Sequence, residues 1–596
     1  MCGINGFNFK DNSLAIRMRK FTKSRGPDAD GIYIDNFFTI LHDRLSILDL
    51  SSSANQPMTF ENLIISYNGE IYNFKDLKKE LINDGYKFKT NSDTEVILYL
   101  FHKYNIHAFK KLSGIFALAI WDKLNRKLYL VRDKVGVKPL YYHFNSYEKK
   151  FHFSSSVKSL LECSESKILN EDVVHHYSNF GRNDLKETIF KNIYKLAPGE
   201  LLIFEEENSK YSVKKFLKFN FQQSNYSNED MKTTIKQTIK SQLISDVPIA
   251  LSLSGGVDSN VIYSAMREKF NNNFNIYSFY YKDYEKFNGD FYTAQKNAKF
   301  YKTPFFPIEI SHLDFIDTAE KVVEILEEPL ANQCSILNYK MANTIKEKIL
   351  ITGDGGDEIF TGYDSYKSIY IINLLQKLNL LKNFDINFGP KNFRRLFMNN
   401  PKDIYLSFSE QNIYKDLEKY YKNMKRYNKN DLKFNHCNDF ELKNRLNHVC
   451  FLDIDSVIPN DFLLRNDKIF MSQGKEVRVP MLDVNLINKF LMMNESKKFA
   501  NSFKSKNLLK KVFNKEIHSL VKGKWGLQSP YAKWLKGPLN TFAKEILSKE
   551  YYSNSDKYLN FENIQKMLIK HQKEYYNPAL IWSLINLQLF FRKFKL

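Results

Sequence analysis

The spacing of apolar and polar positions divides the chain into two textures. Up to about residue 205, short alternating or apolar stretches recur, as at residues 63–67, 116–121 and 127–131. Turns rich in Gly, Asn, Asp and Ser separate them, which predicts antiparallel strands around a few helices. Residues 208–228 are polar and irregular and read as a crossing between domains. Beyond them the period changes. Residues 231–243 have helical spacing, residues 248–253 form a short apolar strand running into a glycine turn, and residues 260–269 predict the next helix. Further strands are expected at residues 276–280 and 349–352, each ending in a polar loop after an intervening helical stretch. That alternation argues for a parallel α/β sheet. Past residue 360 the period is mostly helical.

With 596 residues, the chain exceeds what one core supports, so two or more domains are expected. The 88 basic and 67 acidic residues leave a net charge of +21. The lysines are scattered among Asn, Ile and Phe rather than gathered in a basic tail, and no nucleic-acid recognition motif accompanies them. Nucleic acid and membrane are therefore not expected partners. The five cysteines contain no CxxC pair, which excludes a zinc ribbon and disfavours a disulfide framework. With no secretory signal and no apolar run of about 20 residues, a cytosolic protein is expected.

Candidate chemistry begins at Cys2, directly behind Met1. With Met1 removed, Cys2 would carry a thiol beside a free α-amine, whose ordinary pKa of about 7.7–8.0 lets it take the thiol proton. Downstream stand Arg25-Gly26-Pro27-Asp28, Arg44-Leu45-Ser46-Ile47, Asn68-Gly69-Glu70 after a strand, Ser92-Asp93 opening a helix, and a strand-turn-strand from Arg132 to Tyr142. Each admits a plainer reading: a hairpin turn at Asn68-Gly69, a helix cap at Asp93, a surface ion pair at Arg44. In this order behind Cys2 they resemble the class II (N-terminal nucleophile) glutamine amidotransferase domain. The resemblance implies that Cys2 attacks the glutamine amide while Asn68 and Gly69 stabilise the oxyanion. It implies that Arg44, with Leu45, Ser46 and Ile47, holds the substrate carboxylate, and that Asp93 and Glu70 receive its ammonium.

The second site opens with Leu253-Ser254-Gly255-Gly256-Val257-Asp258-Ser259, where a buried strand gives way to a helix. Glycines that admit an anion, hydroxyls at Ser254 and Ser259, and a helix N-terminus make a phosphate cradle, without the spacing of a Walker A loop. The motif resembles the pyrophosphate loop of ATP pyrophosphatases. A second loop reads Thr352-Gly353-Asp354-Gly355-Gly356-Asp357-Glu358, and Asp467-Lys468, Glu476-Val477-Arg478, Lys506 and Gly526-Leu527-Gln528-Ser529-Pro530 follow.

Together these motifs are similar to the glutamine-hydrolysing asparagine synthetase family, with domains over residues 2–205 and 225–596. The resemblance implies an N-terminal four-layer αββα sandwich of antiparallel sheets (Ntn-hydrolase-like). It also implies a C-terminal α/β domain of the adenine-nucleotide α-hydrolase type with a helical extension. By the same resemblance, Leu253, Tyr281, Thr352 and Gly353 line the adenine, with Leu253 and Tyr281 using backbone groups. Ser254, Gly255, Gly256, Asp258 and Ser259 bind pyrophosphate, Asp258 and Asp357 hold Mg²⁺, Lys506 neutralises phosphate charge, and Asp354 stands where many members carry Glu. The implied small molecules are glutamine, aspartate or another carboxylate such as a sugar acid, and ATP. An apolar ammonia channel between the domains and a homodimer complete the expectation. Ala331-Asn332-Gln333-Cys334 and Ser156 depart from the family pattern, and Arg478 reads as a structural ion-pair residue.

Overall fold

The computed structural model describes residues 2–163, 167–222, 225–378, 417–425, 444–517 and 529–596, so Gly526, Leu527 and Gln528 lie outside the described residues. The N-terminal part builds two six-stranded antiparallel sheets. Its strands are β1 (Cys2–Phe7), β2 (Ala29–Ile34), β3 (Thr39–Arg44), β4 (Met58–Phe60), β5 (Leu63–Ile71), β6 (Gly114–Asp122), β7 (Lys127–Arg132), β8 (Tyr141–Asn145), β9 (Lys150–Ser154), β10 (Ile193–Lys195), β11 (Glu200–Glu205) and β12 (Lys210–Lys215). One sheet runs β10-β8-β9-β1-β3-β2 and the other β12-β11-β7-β6-β5-β4.

Period-2 alternation decides how they stack. Ile4, Ile40 and Phe153 from the first sheet, with Phe38 just ahead of β3, meet Ile64, Ala119, Trp121, Leu130 and Phe204 from the second in one apolar layer. The opposite face of the second sheet packs against the helices Phe74–Asn83 and Asp93–Tyr104. The helices Asn12–Arg19, Val157–Leu161 and Glu171–Phe180 cover the first. The result is the four-layer αββα arrangement. Two sequence expectations shift here. β5 does not stop at residue 67 but runs on through Asn68-Gly69-Glu70, paired with Ala117, Phe116 and Ile115, so Asn68-Gly69 is strand and not a hairpin turn. Residues 210–215, expected within an irregular crossing, pair with β11 as an edge strand.

The C-terminal part carries a five-stranded sheet ordered β15-β14-β13-β16-β17, from β13 (Ile249–Ser252), β14 (Ile276–Tyr280), β15 (Phe305–Glu309), β16 (Ile349–Ile351) and β17 (Glu476–Arg478). Each neighbouring pair is parallel. The chain winds outward from β13 to β15, then reverses to β16 and β17 on the other side. The strand order therefore switches between β13 and β16, the crevice where open α/β sheets bind ligands. The helix after β13, Val257–Phe270, starts three residues before its expected position, because Gly256 serves as its extended N-cap. β17 was not legible as a strand: two of its three residues are charged, and they are buried because they pair with each other.

The C-terminal helix Pro578–Phe594 is buried on nearly every side and wedges between the two parts. The Tyr177 hydroxyl donates to Ser583 O at 2.8 Å, and the Phe190 ring lies 5.4 Å from Phe594. Among the described residues no helix is long and apolar enough to cross a membrane.

Candidate active sites

The first site forms where β1, β3 and β5 come together. Cys2 is 6% exposed at the head of β1, opposite Arg44 on β3. Its backbone N–H donates to Asn68 Oδ1 at 2.9 Å, and its carbonyl accepts from Arg25 Nε at 3.2 Å. That use of Oδ1 orients the Asn68 amide, leaving Nδ2 fully buried with no partner. Such an orphaned donor is rare in a native interior and stands ready for an acceptor. Gly69 is required for close packing, since a Cβ there would lie 2.2 Å from Ile115 O. Burial alone would push the Cys2 thiol up, but the charge of His42 and the chain's amino terminus outweigh it and bring the thiol down to about 6.

A small pocket beside the thiol is lined by Arg44, Leu45, Ile47, Gln56, Tyr67, Gly69, Glu70, Ser92, Asp93 and Thr94. Ser46 is not part of that lining, and its backbone N–H donates to Asp28 Oδ2 at 2.7 Å. Asp93 Oδ2 accepts from the Tyr67 hydroxyl at 2.8 Å and Ile71 N–H at 2.9 Å, while Ser92 caps the same helix through Thr94 N. Asp93 thus sits in a capped first turn and also faces the pocket. Arg44 lines the wall, yet its two terminal nitrogens already donate to Ser51 O, Asn55 Oδ1, Leu48 O and Asp49 O. Glu70 lines the pocket, but its carboxylate lies 3.6 Å from Arg478 of β17. Gln56, Tyr67 and His42 were not singled out from the sequence. A His two residues before Arg44 on one strand was the available signal, because period 2 puts both on the Cys2 face.

The second site lies at the switch between β13 and β16. The loop after β13 is held from within. Ser254 and Ser259 hydroxyls lie 3.0 Å apart, Gly256 N–H donates to Ser254 Oγ, and the Asn260 amide donates to Ser254 O and Gly256 O. A 14-residue helix starts behind this loop, so its N-terminal dipole end faces the crevice. The neighbouring loop comes close: a Cβ on Gly353 would lie 3.1 Å from Ser259 N, and one on Gly356 2.5 Å from Asp258 Cγ.

Lys506 joins the two loops, 2.7 Å from Asp258 and 3.0 Å from Asp357. At 1% exposure it is no solvated helix lysine. Although burial opposes its charge, the two carboxylates raise its pKa. Asp258 and Asp357 are hard-oxygen donors of the kind that hold Mg²⁺ together with substrate oxygens rather than in an all-protein cage, and Lys506 lies between them. Asp354 accepts from Thr352 Oγ1 at 2.7 Å and Asn466 Nδ2 at 2.8 Å. Asn466 was another omission of the sequence reading. Leu253 is buried with its N–H on Tyr277 O. Tyr281 is buried too, but its N–H and C=O both bond the Asn288 amide, so that N–H is spent within the fold.

Buried ion pairs join the sites. Arg25 grips Asp467 with both terminal nitrogens at 2.7 and 3.1 Å, and Lys138 stands 3.5 Å away. Lys468 lies 2.6 Å from Glu327. Glu327 also accepts from Ser156 Oγ at 2.6 Å and Val157 N–H at 2.7 Å. The departure at Ser156 is thereby explained locally: the carboxylate at that point comes from the other part of the chain. Arg478 pairs with Glu476 and faces Glu70, as its structural reading expected, and its carbonyl accepts from Thr352 N at 3.1 Å. A small enclosed cavity at this interface is lined by Arg132, Tyr141, Asn183, Lys195, Glu328 and Leu464, a more polar wall than an apolar channel.

Two family descriptions match this arrangement: glutamine amidotransferase domain over residues 1–217 and asparagine synthase over residues 230–592. The chain belongs to the asparagine synthase family. Membership makes it an ATP-dependent ligase that draws its nitrogen from glutamine. It is 27% identical to asparagine synthetase [glutamine-hydrolyzing] 1 of Bacillus subtilis, covering 98% of this chain and 95% of that protein. It is 31% identical to a putative asparagine synthetase [glutamine-hydrolyzing] 2 of Methanocaldococcus jannaschii, over 63% of this chain and 78% of the relative. The amidase chry2 of Gibberella zeae is 25% identical over 89% of this chain and 87% of its own.

Proposed function

We propose that the chain makes asparagine from aspartate, glutamine and MgATP. The observation that carries this reading is the pairing, in one chain, of the Cys2–Asn68 pocket with the Lys506-bridged crevice. The full-length likeness to the Bacillus subtilis asparagine synthetase supports aspartate as the acceptor.

The Cys2 sulfur attacks the glutamine amide carbon, and the developing oxyanion takes hydrogen bonds from Asn68 Nδ2 and Gly69 N–H. Ammonia leaves, and water hydrolyses the thioester to glutamate. In the second site the acceptor carboxylate attacks the α-phosphate, giving an acyl-AMP and pyrophosphate. The 254–259 loop cradles the phosphates and Lys506 offsets their charge. Mg²⁺, when held by Asp258, Asp357 and phosphate oxygens, supplies further positive charge there. Asp354, fixed by Thr352 and Asn466, orients the acceptor or the incoming amine. Ammonia that has crossed the domain interface then displaces AMP. The division into units at residues 2–205 and 225–596 belongs to this proposal.

A second reading, amidation of another carboxylate such as a uronic acid, is favoured by one feature. Residues 331–333, which depart from the family pattern, line a cavity of about 290 Å³ with Arg182, Tyr531 and Trp582. Asn332 there is locked onto both oxygens of Asp461 at 2.9 Å. Aromatic walls with a few fixed polar groups suit a larger hydroxylated acceptor.

The test is to supply purified protein with glutamine and MgATP plus either aspartate or a uronic acid. Asparagine with AMP and pyrophosphate is expected. AMP released only with a uronic acid transfers the function to the second reading, and no AMP with either acceptor refutes both.

A further inference from the structure

The cavity beside residues 331–333 is lined by two side chains whose polar atoms the fold leaves unused. Tyr531 and Trp582 are each 3% exposed, and among the described residues neither the Tyr531 hydroxyl nor Trp582 Nε1 has a hydrogen-bond partner. Buried donors without partners are rare in native interiors, because each has given up its hydration for nothing. The two rings are held by packing. Phe315 stacks on Tyr531 at 5.5 Å and meets Trp582 at 5.4 Å, and Tyr531 and Trp582 lie 5.3 Å apart. Burial pushes the Tyr531 hydroxyl well up, so it keeps its proton. An indole N–H can only donate, so the partner that Trp582 lacks is an acceptor.

Other residues of the lining adjoin Asp354, the carboxylate assigned above to the acceptor. Asp461 accepts from Asn332 Nδ2 with both oxygens and lies 3.3 Å from Arg465 Nε. The charges of Asp461 and Asp354 both act on Arg465, and the next residue, Asn466, donates to Asp354 at 2.8 Å. Cys334, which follows Gln333 of the lining, feels Arg465, Asp461 and Asp354 together. The N-terminal part closes on the cavity through Ala331 N–H, which donates to Gly181 O at 2.7 Å. At about 290 Å³ the space stands at the small end of ligand pockets, which run from about 300 to 1,000 Å³.

We propose that this cavity receives the end of the acceptor remote from the carboxylate that is adenylated, and that the Tyr531 hydroxyl and Trp582 Nε1 donate hydrogen bonds to oxygens of that end. The inference rests on the ligase reading and names its acceptor subsite. Both donors require an oxygen-bearing end, supplied either by the α-carboxylate of aspartate or by the hydroxyls of a sugar acid. A purely aliphatic end would leave both donors desolvated and unpaired, so the pocket selects against it. Asp461 does not repel such an end, because Arg465 and Asn332 already offset its charge. The helices Tyr531–Lys536 and Pro578–Phe594 thereby take part in deciding which carboxylate is amidated.

Tyr531→Phe tests the proposal by removing one oxygen and keeping the ring. Because that oxygen bonds nothing in the free chain, the urea midpoint should hold. KM for the productive acceptor, aspartate or glucuronate in separate assays, should rise about 10-fold or more. The kcat at saturating acceptor, KM for ATP and glutaminase activity should stay within about twofold. A second measurement needs no turnover. In the chain labelled with ¹⁵N-tryptophan, one of four indole N–H signals disappears in Trp582→Phe, and that signal should shift when the productive acceptor is added to the native chain. A native KM in Tyr531→Phe, or an indole signal that the productive acceptor leaves in place, overturns the proposal. If Tyr531→Phe does not fold, the indole signal decides alone. AMP release with neither acceptor would count against the proposed function instead, and an indole signal moved by neither acid would then overturn the subsite as well.

Discussion

Asn68→Ala separates the two half-reactions most cleanly. In the resting site Asn68 does one visible thing, accepting from Cys2 N–H at 2.9 Å, while Nδ2 stays buried and unpaired. Truncation therefore loses one ordinary hydrogen bond, about 1 kcal/mol, and relieves an unsatisfied buried donor of about 1–3 kcal/mol. The folded state should change little in stability. The transition state differs, because there Nδ2 gains the oxyanion as its partner. Losing one such donor costs about 2.7–4 kcal/mol, or about 10²–10³ in kcat. Glutamate release should fall by that factor with little change in KM for glutamine. Amide synthesis fed by an ammonium salt should stay within about twofold, since the substitution leaves the crevice between β13 and β16 untouched. A loss under tenfold, or an equal loss with ammonium, would refute the reasoning.

Gly362→Ala would place a Cβ 1.7 Å from Asp357 Oδ1 and 2.5 Å from Lys506 Cε. Acceptor-dependent ATP–pyrophosphate exchange should drop about 10²-fold while glutaminase activity survives. Lys468→Met leaves Glu327 buried beside Ser156 without its cation, expected to cost about 3–5 kcal/mol in urea unfolding, whereas pairing it with Glu327→Gln should recover most of that loss. Asp467 resists protonation because, against the upward push of burial, Arg25 and Lys138 hold its pKa down. A depressed carboxylate contributes stability above its unfolded value of about 3.9 and loses it as pH falls through the lower folded value. The urea midpoint should therefore carry an acid-dependent component below about pH 4 that Asp467→Asn abolishes.

Period and motif picked out both candidate sites because the features that define them are local. The glycine loop follows a short apolar strand, and a helix must begin within a few residues, so residues 254–259 were readable as a phosphate cradle. Ser92-Asp93 was readable as a helix start for the same reason. Long-range contacts were not readable. Asn68-Gly69 has the composition of a turn, and only pairing with Ala117 and Phe116 keeps it in a strand. Residues 476–478 are too charged to suggest a buried strand, and only Arg478's partners Glu476 and Glu70, one of them some 400 residues earlier in sequence, make burial tolerable. Asn466 carries no signature, and the partners of His42 and Glu327 were not readable, because those contacts depend on which atom of a distant segment each side chain faces. By itself the sequence determined the strand and helix rhythm, the two chemical loops and their order. Tertiary structure alone decided the pairing of buried charges and orphaned donors across the interface, since those energies depend on distance and desolvation and not on neighbours in the chain.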